Sequence, residues 1–464
     1  MTEIKNKPTQ QQGEQQCPSC PVNNVQQTTP PSLPEHLPQS MECILQSTPD
    51  VAKSAVAMAV FSALRIHLSE VQFRYVDHTL QEPSFMNLCI AQQASGKSAI
   101  RQPLNEILYE IQQQDIVNRD LYEHWRATVA TLGANKQRPA EPSAPVHIVQ
   151  SNMTSPALVK LSKRAAPKSL YTYGEELEKL YRLSGASEII RSAYDTEIYG
   201  QERVSVNGVC DVVRLRWSWN FSTTPGTARK YLRSDISTGT LSRLCLSTIV
   251  HDQDDWGEEM PIYGEYGEDY RAAVAQYTHQ LKDAKGIIDC EEAKQWVMKE
   301  KHKQIDRLKM MDCKAMVPFV WRSLNMAFWR ACLLYIMHGG EWSEEIAEFA
   351  SWTVDYDLWC KFHFFGDMIE AQDESNSTAT IHRPTMLLPH LPDQFTREEA
   401  MEMRRRLGRS TTPKALKNML ATWKARNFIT FDQEKQVYMK TPECASTVHA
   451  LAIPHSKVSV EDYN

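Results

Sequence analysis

The stretch SFMNLCIAQQASGKSAIRQPLNEI, residues 84–107, decides how the rest of the chain is read. Its apolar run over 86–91 predicts a short buried strand, and Ile100, Leu104 and Ile107 then recur at helical spacing. Between strand and helix, Gly96-Lys97-Ser98 closes the pattern of a glycine, four residues, then Gly-Lys-Ser/Thr. In that pattern backbone N–H groups cradle phosphates, the lysine reaches the terminal phosphates and the hydroxyl holds Mg²⁺. Ala91 stands where the first glycine is usual. The nucleotide-binding set expected here is Gln93, Ala94, Ser95, Gly96, Lys97, Ser98 and Ala99, with ATP as ligand and Ser98 as the Mg²⁺ ligand. An ordinary strand-to-helix turn also carries such a tripeptide by chance, but the flanking elements favour the phosphate loop. A helix that starts at the loop turns its positive end toward a bound anion.

The second informative stretch is SLYTYGEELEKL, residues 169–180, whose front half favours strand and whose back half favours helix. Glu175 and Glu176 lie at the join. A carboxylate at the carboxyl end of a strand beside a phosphate loop is what metal-assisted NTP hydrolysis requires: one acid supports the Mg²⁺ shell and one orients the attacking water. Acids also favour helix starts for structural reasons, and the upstream loop tips the reading toward catalysis. The run over 209–221, VCDVVRLRWSWNF, predicts one strand ending at Ser222-Thr223-Thr224-Pro225-Gly226. Thr223 and Thr224 are expected there as γ-phosphate sensors, or as part of a plain turn. Arg243, in TLSRLCL, precedes an apolar strand and reads either as a finger completing a neighbouring subunit's site or as the partner of a carboxylate.

The C-terminal part changes character. Thr396 to Glu399 form a capping box opening a helix. A second helix is expected over 410–427, followed by two strands at 428–431 and 437–439 around a turn, the order of a winged helix. Arg404, Arg405, Arg406, Arg409, Lys414 and Lys417 make a positive stretch suited to phosphate contacts with single-stranded or duplex DNA; Lys424 and Arg426 add to it. A solvated helix or a protein-docking module is the alternative.

The chain has 464 residues, 42% hydrophobic and 23% charged, with a formal charge of -6. That balance excludes global attraction to nucleic acid, so any such contact must be local. Eleven cysteines are scattered, several inside apolar runs, as reduced thiols of a cytoplasmic protein are; Cys17 and Cys20 are the only tight pair and form at most half a metal motif. No apolar run is long enough to span a bilayer, and residues 1–40, with 7 prolines and 8 glutamines, read as a disordered leader without a signal segment. The expected organisation is α/β: the leader, a phosphate-loop core with an N-terminal helical layer over 41–265, a helical unit over 266–370, a linker over 371–394 and a winged-helix-like unit over 395–445. Within the helical unit, Arg330 is expected either in an ion pair or reaching toward the nucleotide.

Taken in order behind the GKS loop, the motifs SNMT, GEELEKL, IIRSAYD, TTPGT, SRLCL and WRACLLYIMHGG resemble an uncharacterised P-loop family of phages and bacterial mobile elements, whose members often accompany or fuse to a primase. The resemblance spans roughly residues 41–370. It implies a RecA-like ATPase core of the replicative-helicase kind, often a homo-oligomer, with the acidic pair on Glu176 and Glu178 or on Glu175 and Glu176. Gly174 stands where an aspartate often precedes the glutamate, and no primase unit is evident in the chain. The expected function is therefore an ATP-hydrolysing helicase-like or loader protein acting on DNA, either beside a separate primase or without a primase partner. The rival expectation is a non-hydrolysing DNA-binding regulator or scaffold.

Overall fold

The structure, a computed structural model, describes residues 29–132, 136–201, 211–250, 263–311, 313–375, 387–406 and 411–442. Cys17, Cys20, the acidic stretch at 252–259 and Arg409 lie outside the described residues. In chain order the strands are β1 (Val71–Arg74), β2 (Leu80–Gln81), β3 (Met86–Ile90), β4 (Leu170–Gly174), β5 (Ile198–Gln201), β6 (Asp211–Arg214), β7 (Trp217–Thr223), β8 (Cys245–Ser247), β9 (Gly286–Ile288), β10 (Gln394–Phe395), β11 (Ile429–Asp432) and β12 (Val437–Lys440).

Four of them form an all-parallel sheet in the order β4-β7-β3-β8. A parallel bridge from Ile148 to Tyr171 extends it beyond β4, where the sequence predicts a short strand at 146–149. Every residue of β3 and β7 is buried, because crossovers place other elements on both faces of a parallel sheet and leave no solvated side. One face packs on the apolar helix Asp50–Leu64, whose Ala59 carbonyl accepts from Asn220 Nδ2 at 3.1 Å. The long helix expected after the phosphate loop is present at Tyr109–Thr131.

The sequence reading merged or missed three features. The run at 209–221 is two strands: β6 pairs antiparallel with β5 in a separate hairpin, and β7 starts afresh at Trp217. Both pieces are rich in strand formers, so local pattern gives no break; Arg216, between them, is held by Glu82 through Nε and Nη2 at 2.5 and 3.0 Å. The charged stretch that opens the helical unit expected over 266–370 is two helices, Glu268–Asp283 and Glu291–Met311, separated by β9, which joins β1 in parallel. Gly286, at φ 76°, makes that reversal possible. Part of the stretch expected as a disordered leader packs on the core: Trp352 Nε1 donates to the Pro31 carbonyl at 3.1 Å, and Leu33 and Leu37 lie against the buried cluster.

The helices Val317–Met337 and Glu344–Ser375 share one continuous core with the sheet, so residues 266–370 are a layer of the same body. The second helix runs through 371–375, into the region expected as linker. The expected ion pair is not formed, because among the described residues Arg330 has no carboxylate partner. It is fully buried, its guanidinium lies 5.7 and 5.6 Å from the ring centroids of Phe61 and Phe85, and none of its three nitrogens has a hydrogen-bond partner. Two aromatic faces partly offset its desolvation, by about 2 kcal/mol when water is excluded.

Residues 387–442 build a second, smaller core around Leu388, Phe395, Leu416, Leu420 and Trp423. The order is helix Leu387–His390, β10, helix Arg397–Arg406, helix Pro413–Ala425, β11, β12, and the sheet order is β10-β12-β11. The capping box is formed as expected: Thr396 N–H donates to Glu399 Oε2 at 2.7 Å and Glu399 N–H to Thr396 Oγ1 at 3.2 Å. Arg426 fastens this unit to the helix Glu291–Met311 by an ion pair with Asp306 at 3.0 Å.

Candidate functional site at the carboxyl edge of the sheet

All four parallel strands end on one side, and the stretch after β3 opens there. Ala91, at the position of the usual first glycine, is buried, and its N–H donates to the Thr223 carbonyl at 3.1 Å. Its φ is not positive, so a side chain is tolerated at that position. The left-handed conformations fall later, at Ala94 (φ 59°) and Gly96 (φ 75°). This removes the conformational objection to Ala91 and shows which glycine is needed. Lys97 starts a short 3₁₀ turn, Lys97–Ile100, that continues into the helix Arg101–Ile107. Its ammonium folds back on the loop, donating to the Ala91 carbonyl at 3.1 Å and to the Gln92 carbonyl. Partial burial depresses its pKa by disfavouring the charged form. A cation held only by neutral carbonyls is available to a ligand carrying negative charge.

Ser98 Oγ donates to the hydroxyl of Tyr263 at 3.2 Å. Gln93 and Ala94 are exposed on the loop, whereas Ser95 and Ala99 are buried beneath it. Cys89, directly under the loop, is a buried thiol whose pKa is pushed up to about 12 by desolvation, which makes it inert.

Glu175 and Glu176 follow the end of β4, as the sequence predicts. Both side chains are mostly exposed. Glu175 Oε1 lies 3.5 Å from Arg101 Nη1, and Glu176 Oε2 lies 3.2 Å from Lys179 Nζ. Ser222 Oγ donates to the Glu175 carbonyl at 3.0 Å, which ties the acidic turn to the end of β7. Glu178 lies within the helix Leu177–Tyr181 that follows. Gly174 has a steric cause: a Cβ built on it would lie 2.1 Å from Phe221 Cε1. The Phe221 ring occupies the space that an aspartate would need, and the first acid therefore comes one residue later.

The two expected sensors differ. Thr223 ends β7 beside the loop, and its hydroxyl is buried with no hydrogen-bond partner. Thr224 precedes the helix Pro225–Leu232 and donates to Thr227 Oγ1 at 3.2 Å, a turn-forming role. Of these two threonines, Thr223 is the one with an unused hydroxyl; Ser247, at the end of β8, has one as well among the described residues.

Arg243 is paired within its own chain. It precedes β8, and in a parallel sheet the residue before a strand lies at the amino edge, roughly 15 Å of strand away from the loop. There Nε and Nη2 both donate to Asp195 Oδ2, at 3.0 and 2.8 Å. It is the carboxylate-paired arginine of the alternative reading.

The positive stretch of the C-terminal unit is also thinner than its sequence suggests. Arg404 is buried against Met419 and cannot reach solvent phosphate. Arg405 and Arg406 are exposed but share Glu402, at 2.5 and 3.5 Å. Lys414, Lys417 and Lys424 remain exposed on the helix Pro413–Ala425.

Arg101, Tyr263 and Phe221 were missed in the sequence. Arg101 had a usable signal, since it lies four residues after Lys97 and so one helical turn away; the other two are brought in by tertiary structure alone. Among the described residues no group of three or more His, Cys, Asp or Glu could hold a metal ion by itself. A divalent cation next to Ser98 would thus take most of its ligands from phosphate and water, as Mg²⁺ commonly does. Among the described residues no helix is long and apolar enough to cross a membrane. No protein-family model matches the chain, and no curated protein matches it in sequence.

Proposed function

We propose that the chain is a P-loop ATPase with a RecA-like core that binds Mg²⁺-ATP at the carboxyl edge of its parallel sheet and works on DNA, as a helicase-like or loader protein in replication of a phage or mobile element. The observation that carries the reading is the strand order. The strand before the Gly-Lys-Ser loop is central; the next strand ends in an unpartnered threonine hydroxyl; the strand beyond that ends in two acids. An ATPase of this class needs that sequence of groups across one edge: cation and amides on the phosphates, a polar group near the γ-phosphate, and a carboxylate on the water.

In this reading Lys97 exchanges its two carbonyl partners for phosphate oxygens, and Ser98 leaves Tyr263 to face the cation. Mg²⁺, when bound, neutralises charge developing on the phosphates. Glu176 or Glu175 then orients or deprotonates the water. The C-terminal unit has the element order and sheet order of a winged helix, and its helix Pro413–Ala425 presents Lys414 and Lys417 to nucleic acid. Replication of a mobile element, a separate primase as partner and homo-oligomeric assembly rest on the motif resemblance. One experiment tests the core of the proposal: ATP turnover measured with and without single-stranded DNA. The expected result is a basal rate that DNA stimulates and that Lys97→Ala abolishes; a rate equal in wild type and variant overturns it.

A second reading draws on one specific observation, namely that both acids are already engaged by cations, Glu175 by Arg101 and Glu176 by Lys179. A non-hydrolysing DNA-binding scaffold would keep such pairs closed with nucleotide bound. Nucleotide binding without turnover separates it from the first.

A further inference from the structure

The opposite, amino edge of the sheet contains a cavity of about 190 Å³, with Gln72, Tyr194, Arg214, Arg322, Asn325 and Trp329 among its walls. Two carboxylates, Glu82 and Asp195, also face it, and each already carries two guanidiniums. Asp195 accepts from Arg243 and, through Oδ1, from Arg322 Nη1 at 3.1 Å. Glu82 accepts from Arg216 and has Arg65 Nη2 at 3.8 Å. Arg214 has no carboxylate in ion-pair reach among the described residues and donates only to the Thr196 carbonyl, at 3.2 Å. Of these guanidiniums, Arg214 and Arg322 line the space itself, beside Glu82 and Asp195, and Arg214 is the one without a carboxylate. Glu197, beside Thr196, faces Ser192 Oγ at 3.5 Å and does not line the cavity.

Two further observations point to a ligand. Asn325 Nδ2 donates to Tyr194 Oη at 3.2 Å, but its Oδ1 is shielded from solvent and has no hydrogen-bond partner. A buried acceptor left without a donor is costly in a finished fold and is satisfied by something that brings an N–H or O–H. Thr196 in the cavity wall is held at φ 47°, where a β-branched residue rarely sits; such strain concentrates at ligand clamps. The rings of Tyr194 and Trp329, with centroids 5.1 Å apart, supply an apolar wall.

We propose that this cavity is a second ligand site, which takes a small phosphate-bearing molecule whose anion meets Arg214 and Arg322. Guanidinium forks match phosphate oxygens in geometry as well as charge. A free nucleoside monophosphate and the 5′-phosphate end of a single strand present the same chemistry. The site is independent of the phosphate loop and does not rest on the ATPase reading.

The test uses the full chain carrying Lys97→Ala, so that the loop at the other edge does not contribute. Calorimetric titrations with AMP, inorganic phosphate, and a short oligonucleotide with and without its 5′-phosphate are compared. Saturable one-to-one binding of AMP or of the phosphorylated oligonucleotide is expected, weakened at least about tenfold by Arg214→Gln, whose side chain is exposed and pairs with no acid. Asn325→Asp, which puts negative charge at the unsatisfied oxygen, should weaken it further, with the thermal midpoint recorded to confirm folding. AMP binding alone assigns the site to a free nucleotide; competition between AMP and the phosphorylated oligonucleotide assigns it to a strand end. Absence of saturable binding by all four probes, or unchanged affinity in Arg214→Gln, overturns the proposal.

Discussion

At the carboxyl edge of the sheet, Lys97, Glu175 and Glu176 sit in short turns after their strands; Lys97 is held by neutral carbonyls, and the two acids are mostly exposed and pair with Arg101 and Lys179. At the amino edge, Arg65, Arg216, Arg243 and Arg322 come from four separate elements and are clamped in pairs on Glu82 and Asp195. Arg243 reaches the amino edge because it precedes its strand, and there it is paired with Asp195. Charges at the carboxyl edge are free to change partner when a ligand arrives, whereas those at the amino edge are committed to one another, except around Arg214.

The comparison can be broken most sharply at Lys97. Lys97→Ala should lower affinity for a fluorescent ATP analogue by at least about a hundredfold, since losing a cation from a buried phosphate contact costs about 2–5 kcal/mol. The fold should survive because the ammonium holds only two loop carbonyls. An unchanged dissociation constant would show that the carboxyl edge is no nucleotide site.

Glu176→Gln should keep nucleotide affinity and reduce turnover by about a hundredfold, the scale of a positioned acid–base group. If Glu175→Gln has that effect instead, the two roles exchange. If neither variant alters the rate, the scaffold reading replaces the ATPase.

The same kind of substitution at the other edge should act on stability. Asp195→Asn removes the shared acceptor of Arg243 and Arg322 and should lower unfolding free energy by about 1–3 kcal/mol, read as a lower urea midpoint. ATP-analogue affinity should stay within about twofold, because additivity holds for sites this far apart. Lost nucleotide binding in a folded Asp195→Asn protein would mean that the two edges are coupled.

The smallest effect is expected in the C-terminal unit. Each phosphate contact contributes about one power of salt concentration, and Arg404 is too buried to make one. Lys414→Glu with Lys417→Glu should therefore weaken binding to single-stranded and duplex oligonucleotides several-fold, with a salt slope shallower by about two, and leave basal ATP turnover intact. Fluorescence anisotropy at two salt concentrations measures this. Wild-type affinity in the double variant would mean that this unit docks protein.

The loop at 91–98, the acidic turn after β4, the capping box at Thr396 and the helix-helix-hairpin order at the C-terminus were all legible in the sequence. Each is a local pattern: a few residues whose backbone and side-chain preferences are satisfied within one turn of chain. Strand order, strand direction and burial were not legible, because they depend on which distant segments share a face. That is why the run at 209–221 read as one strand and why β9 was hidden between charged helices. It is also why Arg404 counted as a surface charge. Gly174 joins both levels: the residue itself is visible in the sequence, but the reason for it, the Phe221 ring where a Cβ would go, exists only once β4 and β7 lie side by side.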